Sequence, residues 1–292
     1  MRVSRFALAL AWLVVMLLFG QFEPEIAGGE RRPAPIERPA LPAPARIEPG
    51  PLAEPSRGDP SVEMEMAACE ERCIGSAFSL DRDGLWMTAR HVVEGCRSLG
   101  IATSARRALE VHAVQVHPEA DVALMQTDRG GPALALSDAA LQTGQDGYAF
   151  GYPQGTPGEV HGRLIGRLRV RITGEDRFVA PAIAWAEVSR IPDSLPELGG
   201  ISGGPMVDAS GQIIGVAIGA SIRRGRVITA APRSLLESLE QARVTLPPSP
   251  VGSRSVDTSN ITRTGDALRR DLSVAQVYCV GGGGKRRPRP LF

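Results

Sequence analysis

Little in this chain points toward nucleic acid, a metal or the interior of a membrane. Its 33 basic and 32 acidic residues leave a net charge of +1, too small for a field that gathers polyanions, so no nucleic-acid partner is expected. Lysine is nearly absent: Lys285 stands alone and every other basic side chain apart from histidine is arginine, a lineage bias to which we attach no function. The four cysteines, Cys69, Cys73, Cys96 and Cys279, form no CxxC pair and fit no zinc pattern. Neither a metal nor a cofactor is expected. With 43% hydrophobic and 22% charged residues the composition excludes an integral multi-span membrane protein. Aromatic residues are scarce at 4%, while 33 glycines and 24 prolines punctuate the 292 residues heavily, which argues against a helical bundle.

The chain divides by texture. Arg2 and Arg5 precede an apolar run over residues 6–19 that breaks at Gly20. Positive charge followed by about 14 apolar residues is the layout of a secretory signal, and is short of the ~20 residues of a permanent span. Leu18-Phe19-Gly20, at the end of the run, makes a poor small-x-small cleavage site, so residues 1–22 read as either a signal peptide or a signal anchor. Both export the chain to the periplasm or beyond, the anchor leaving it tethered to the membrane, and both permit disulfides. Residues 23–61 are rich in Pro, Ala, Glu and Arg and read as a disordered, extended linker. From 62 to 244, short apolar runs alternate with turn signals such as DRDG (81–84) and DASG (208–211), the pattern of an all-β sandwich or barrel. RSLLESLEQA, from Arg233 to Ala242, carries leucines at 235, 236 and 239 and predicts a short C-terminal helix closing the domain. Residues 245–292 read as a mostly disordered tail, with one short ordered segment within 266–280 and a solvated basic end, KRRPRP.

Three stretches of the β-rich region carry the side chains that acyl transfer needs. WMTARHVV holds His91, HPEADVALMQ holds Asp121, and LGGISGGPMV holds Ser202 in a glycine-dense loop. A hydroxyl nucleophile needs an imidazole base, and the base needs a carboxylate that fixes its tautomer and stabilises its cation. The glycines have a mechanical reading. Gly200 and Ser202 are placed to turn their N–H groups toward one point as oxyanion donors, and Gly203 and Gly204 let the chain leave a cramped turn. His112, His117 and His161 read as surface or structural residues.

At these residues the chain resembles a trypsin-like serine peptidase. TARHVV is similar to that family's histidine motif, ADVAL to its aspartate motif and GGISGGPMV to its serine motif. GSAFSLDRDGLWMTARHVV and AFGYPQGTPGEVHGRLIG resemble the bacterial HtrA/Deg-type branch, here without a PDZ-length segment after the domain. The resemblance runs from about residue 73 to 232. It implies two packed six-stranded β-barrels with the site between them, His91 as general base, Asp121 as its orienter, Ser202 as nucleophile, and an oxyanion hole from Gly200 and Ser202. Ile201 stands where the family has Asp or Asn, so activation by a new N-terminus is not expected. Arg90 replaces Ala or Asn and is expected to point outward. The resemblance also implies a specificity pocket walled by Ile218, Ala220 and Ala230, with Pro196 and Ile228 nearby. No charged residue occurs among these, which predicts a preference for small apolar side chains. It further implies a Cys73–Cys96 bridge bracing the base and leaves Cys69 and Cys279 to pair. The expected function is a serine endopeptidase acting on exported protein or peptide substrates. The alternatives are a non-catalytic barrel serving as a binding or scaffold module, and esterase action as a side activity of the same machinery.

Overall fold

The computed structural model describes residues 50–65, 69, 71–173, 177–221, 225–246 and 254–281. The signal segment, the linker up to residue 49 and the KRRPRP terminus lie outside the described residues. After β1 (Gly50–Pro51) and β2 (Ser61–Glu65) come β3 (Arg72–Ser79), β4 (Leu85–Thr88), helix α1 (Arg90–Val93), β5 (Cys96–Ser104), β6 (Arg107–Glu110), β7 (Ala113–Val116) and β8 (Ala123–Gln126). After the short β9 (Gln142–Thr143) follow β10 (Asp146–Gly151), β11 (Gly158–Thr173), β12 (Phe178–Ile191), β13 (Pro205–Val207), β14 (Ile213–Ser221) and β15 (Arg226–Ala230). Helices α2 (Pro232–Gln241) and α3 (Ile261–Arg270) and strand β16 (Val274–Gly281) complete the chain.

The strands form two curled sheets, the all-β double-barrel architecture. One runs β6-β5-β16-β3-β4-β8-β7. The other runs β10-β13-β14-β15-β12-β11-β2, and a β10–β11 pairing closes its six main strands into a ring. Each barrel buries one tryptophan and satisfies its indole N–H. Trp86 Nε1 donates to Thr127 Oγ1 at 2.9 Å in the first, and Trp185 Nε1 to Thr229 Oγ1 at 3.0 Å in the second. The turn at Gly84 (φ +100°) joins β3 to β4 and that at Gly211 (φ +80°) joins β13 to β14. Both positive φ values suit glycine. In α2, Leu235 and Leu239 are buried while Leu236 faces out.

Three expectations are corrected. First, the linker is not disordered to residue 61. β1 pairs with β9, and β2 lies parallel to β11, because Leu52 N donates to Leu141 O and Arg169 N to Pro60 O. Second, the tail is mostly structured where it is described. β16 enters the first sheet between β3 and β5, giving that sheet a seventh strand, and all eight of its residues pair with one or both neighbours. Helix α3 docks on β11 through a buried ion pair, Arg269 Nη2 to Glu159 Oε1 at 2.6 Å, and Arg269 also donates to Gly158 O. Third, Cys73 and Cys96 are not joined. The bonds are Cys69–Cys73 and Cys96–Cys279. β16 stands between the strands of Cys73 and Cys96. Strands two apart are separated by about 10 Å, beyond the roughly 4.4–6.8 Å that a disulfide spans.

Candidate active site

Strand β4 delivers the histidine. Thr88 Oγ1 donates to Ser76 O at 2.7 Å, and the chain turns directly into α1. The His91 backbone N–H donates to Asp121 Oδ1 at 2.9 Å, and its Nδ1–H donates to Asp121 Oδ2 at 2.7 Å. Asp121 precedes β8 and is fully buried, flanked by the buried Ala120 and Val122. With Nδ1 engaged as donor, Nε2 is the nitrogen left to accept a proton. Burial pushes the His91 pKa down. The charge and hydrogen bond of Asp121, with the charge of Glu94 behind them, outweigh burial and hold the pKa above its ordinary value.

Arg90 does not point outward. It is buried, pairs with Glu94, and donates to the carbonyls of His117 and Pro118 at 3.1 and 3.2 Å. Its guanidinium lies 4.6 Å from the centre of the Phe178 ring on β12. It thereby ties the turn carrying His91 to the loop leading to Asp121 and to the second barrel.

The Ser202 loop is cramped and held from several sides. Ser76 N donates to Ser202 O at 2.7 Å, Ser76 Oγ to Gly200 O at 2.8 Å, and Gly203 N to Ala217 O of β14 at 2.7 Å. Ile201 is buried and its N–H is used by Leu198 O. At Gly203 φ is +87°, and a Cβ there would lie 2.0 Å from Ser76 O, so the turn admits only glycine. The N–H groups of Gly200 and Ser202 donate to nothing among the described residues. Ser202 Oγ likewise makes no hydrogen bond among them.

The pocket residues fare differently. Ile218 and Ala230, each 1% exposed, belong to the main core, and only Ala220 on β14 is exposed. Residues 213–218 of β14 are all buried, so both faces of the strand are covered there, and Ala230 is paired on both sides, with Val216 and Ala182; short apolar runs do not show such two-sided burial. Of the other candidates, His161 is buried against Asp146 at 2.9 Å and stacked on Tyr148. His117 is buried and accepts from Glu119 N, while His112 lies at the surface. Ser76 was not singled out from the sequence. Its hydroxyl also accepts from Tyr152 N at 2.9 Å, and its place in GSAF, paired with the glycine-dense loop, was the available signal.

A buried aspartate holding a histidine, and a serine in a glycine turn beside amides that donate to nothing among the described residues, are the parts that serine hydrolase sites use. Residues 75–216 match the family described as trypsin-like peptidase domain. Residues 75–216, just under half of the chain, thus carry the likeness to a trypsin-like peptidase domain. It is similar to the serine protease Rv3671c of Mycobacterium tuberculosis, with 28% identity over 205 residues, 67% of this chain and 49% of that protein. It is also similar to a DegP-like periplasmic serine endoprotease of Halomonas elongata, with 33% identity over 149 residues, 50% of this chain and 29% of that protein. The chain thus spans about half the length or less of these curated relatives. Solved structures with a likeness include the active form of Rv3671c from M. tuberculosis, at 18% identity and TM-score 0.48, covering 70% of this chain and 96% of that one. The HtrA-type protease AlgW with a decapeptide matches at 22% identity and TM-score 0.46, covering 65% and 52%.

Proposed function

We propose that the chain is a serine endopeptidase that cleaves exported proteins or peptides through an acyl-enzyme. Ser202 is the nucleophile, His91 the general base and Asp121 its orienter, and the amides of Gly200 and Ser202 receive the oxyanion. The observation that carries this reading is the coincidence of two arrangements. The buried Asp121 holds Nδ1 of His91, leaving Nε2 as acceptor. In the serine loop, Gly200 and Ser202 keep their N–H groups unpartnered among the described residues while the intervening Ile201 N–H is used. Gly200 and Ser202 are only partly buried, so their two N–H groups, on either side of Ile201, face a position that an incoming carbonyl oxygen can take from water.

The reaction follows from these groups. The Ser202 hydroxyl gives its proton to His91 Nε2 as Oγ attacks the scissile carbonyl. The resulting oxyanion sits on the two amides, the imidazolium protonates the leaving amine, and water repeats the sequence on the ester. The Ser202–His91 bond absent from the free enzyme forms on substrate binding, as catalytic hydrogen bonds often do. Export is supported by the two disulfides, which belong to an oxidising compartment, and by the periplasmic location named for the Halomonas relative. The preference for small apolar residues loses support, since two of its three residues are core.

The alternative is a barrel kept for binding, in which Ser202 Oγ, without a hydrogen bond among the described residues, stays unreactive. Digestion of casein by the full chain and by Ser202→Ala separates the two. The peptidase reading expects loss of turnover on the order of 10⁴–10⁶ with unchanged folding. Activity retained above a few per cent in the variant contradicts it.

A further inference from the structure

We infer that the C-terminal strand β16 builds part of the substrate site, with Tyr278 and its cross-strand partner Ile74 forming a subsite for a large apolar residue on the leaving-group side of the cut bond. This rests on the peptidase reading above and adds a segment that lies beyond the matched residues 75–216.

The argument starts from register. Tyr278 lies directly opposite Ile74, and Gln276 opposite Ser76. Alternate residues of paired strands share one face. That face of β3 and β16 therefore carries Ser76, Ile74, Gln276 and Tyr278. Ser76 turns toward the serine loop, since its hydroxyl binds Gly200 O. Ile74 follows it: its Cδ1 lies 3.4 Å from where a Cβ on Gly200 would sit, and 3.2 Å from one on Gly155. Gln276 reaches the same loop, with Nε2 donating to Gly155 O at 3.4 Å, and Tyr278 Oη donates to Gln276 Oε1 at 2.8 Å. The loop in turn is held to the serine turn through Gln154 N and Gly199 O at 2.6 Å.

Ile74 and Tyr278 are nevertheless 37% and 42% exposed. Together they make an apolar step beside an oxyanion donor, rimmed by the polar Gln276 and Gln154. Tyrosine in such a place offers contact area at little entropic cost. Here β16 is fixed on both sides by ladders and at the next residue by the Cys96–Cys279 bond, so the ring is pre-positioned.

Direction follows from the two flanks of the serine turn. Gly203 joins β14 on one flank through Ala217 O, and Ala220 is the exposed residue of that strand. Gly200 meets Ile74 on the other. A peptide crossing Ser202 with its acyl half on the β14 flank has the Ile74–Tyr278 step for the half that leaves.

The test is cut-site profiling. The full chain, Tyr278→Ala and Tyr278→Arg each digest a random peptide library, and mass spectrometry reads the residues after each cut. Wild type should enrich large apolar residues at one of the first three leaving-side positions. Tyr278→Ala should lower that enrichment about tenfold, and Tyr278→Arg should move it toward Asp and Glu at the same position. Profiles identical in all three overturn this inference alone. A wild type that cuts nothing overturns the peptidase reading and the inference together.

Discussion

Replacing Cys96 and Cys279 together by alanine removes the covalent link between the last strand and the first barrel, across a sequence separation of 183. In the chain-entropy account, closing a loop of that size restricts the unfolded chain by about 5 kcal/mol at 25 °C, against about 2 kcal/mol for a loop the size of that closed by Cys69–Cys73. Small native disulfide domains commonly lose about 2–5 kcal/mol when such a bond is removed, and a typical domain has only about 5–15 kcal/mol to lose. β16 still has its ladders to β3 and β5 and the α3 anchor at Glu159, so the double variant should fold, with a much reduced margin. Urea unfolding followed by tryptophan fluorescence is the assay, because Trp86 and Trp185 are fully buried, one in each barrel. The Cys96/Cys279 variant should lose at least twice the stability lost by the Cys69/Cys73 variant. Equal losses, the reverse order, or recovery of Cys96 and Cys279 as free thiols from exported protein would refute the reasoning.

Two further outcomes follow. His91 must be neutral to act as base and its pKa is held above the ordinary value, so kcat/KM should rise with pH on a limb placed above about 6.5. Asp121→Asn removes the influence that raises it and leaves burial, so the limb should move down while turnover falls about 10⁴-fold; a pH–rate profile unchanged in the variant counts against His91 as base. At the second anchor, burial already raises the Glu159 pKa despite the Arg269 charge beside it. Arg269→Leu leaves that carboxyl buried and unpaired, at a cost of about 3–5 kcal/mol. Because an acid with a raised folded pKa destabilises its charged form, the deficit should grow as pH rises from about 4 and shrink below it; urea midpoints across that range that move together in both proteins contradict the pairing.

What the sequence made legible is local. DRDG and DASG are hairpin turns because aspartate and glycine satisfy tight-turn geometry within four residues, and both were found. The histidine, aspartate and serine stretches were readable because their surroundings, a buried strand end or a glycine turn, are encoded within a few positions. Pairings between distant segments were not readable. VAQVYCVG has an apolar pattern that fits a strand, yet nothing local says that it enters the first sheet 170 residues away from its neighbour β5. That one insertion also parts Cys73 from Cys96 and sets Cys279 between them, opposite Cys73 in the ladder and bonded to Cys96. Ile218 and Ala230 lie in strands covered on both faces, and a short apolar run does not tell a wall of a pocket from such a two-sided core strand. Arg90 failed because a single long side chain is directed by carbonyls at His117 and Pro118 that the local sequence does not reveal.

The central claim, that Ser202 is a nucleophile activated by His91, is tested most directly by treating the folded full chain with a fluorophosphonate and locating the adduct by peptide mass spectrometry. The account predicts a single adduct on Ser202, lost in His91→Ala and formed faster as pH rises through the limb set by His91. Absence of labelling in folded wild type, or an adduct on another serine that persists in His91→Ala, would contradict it.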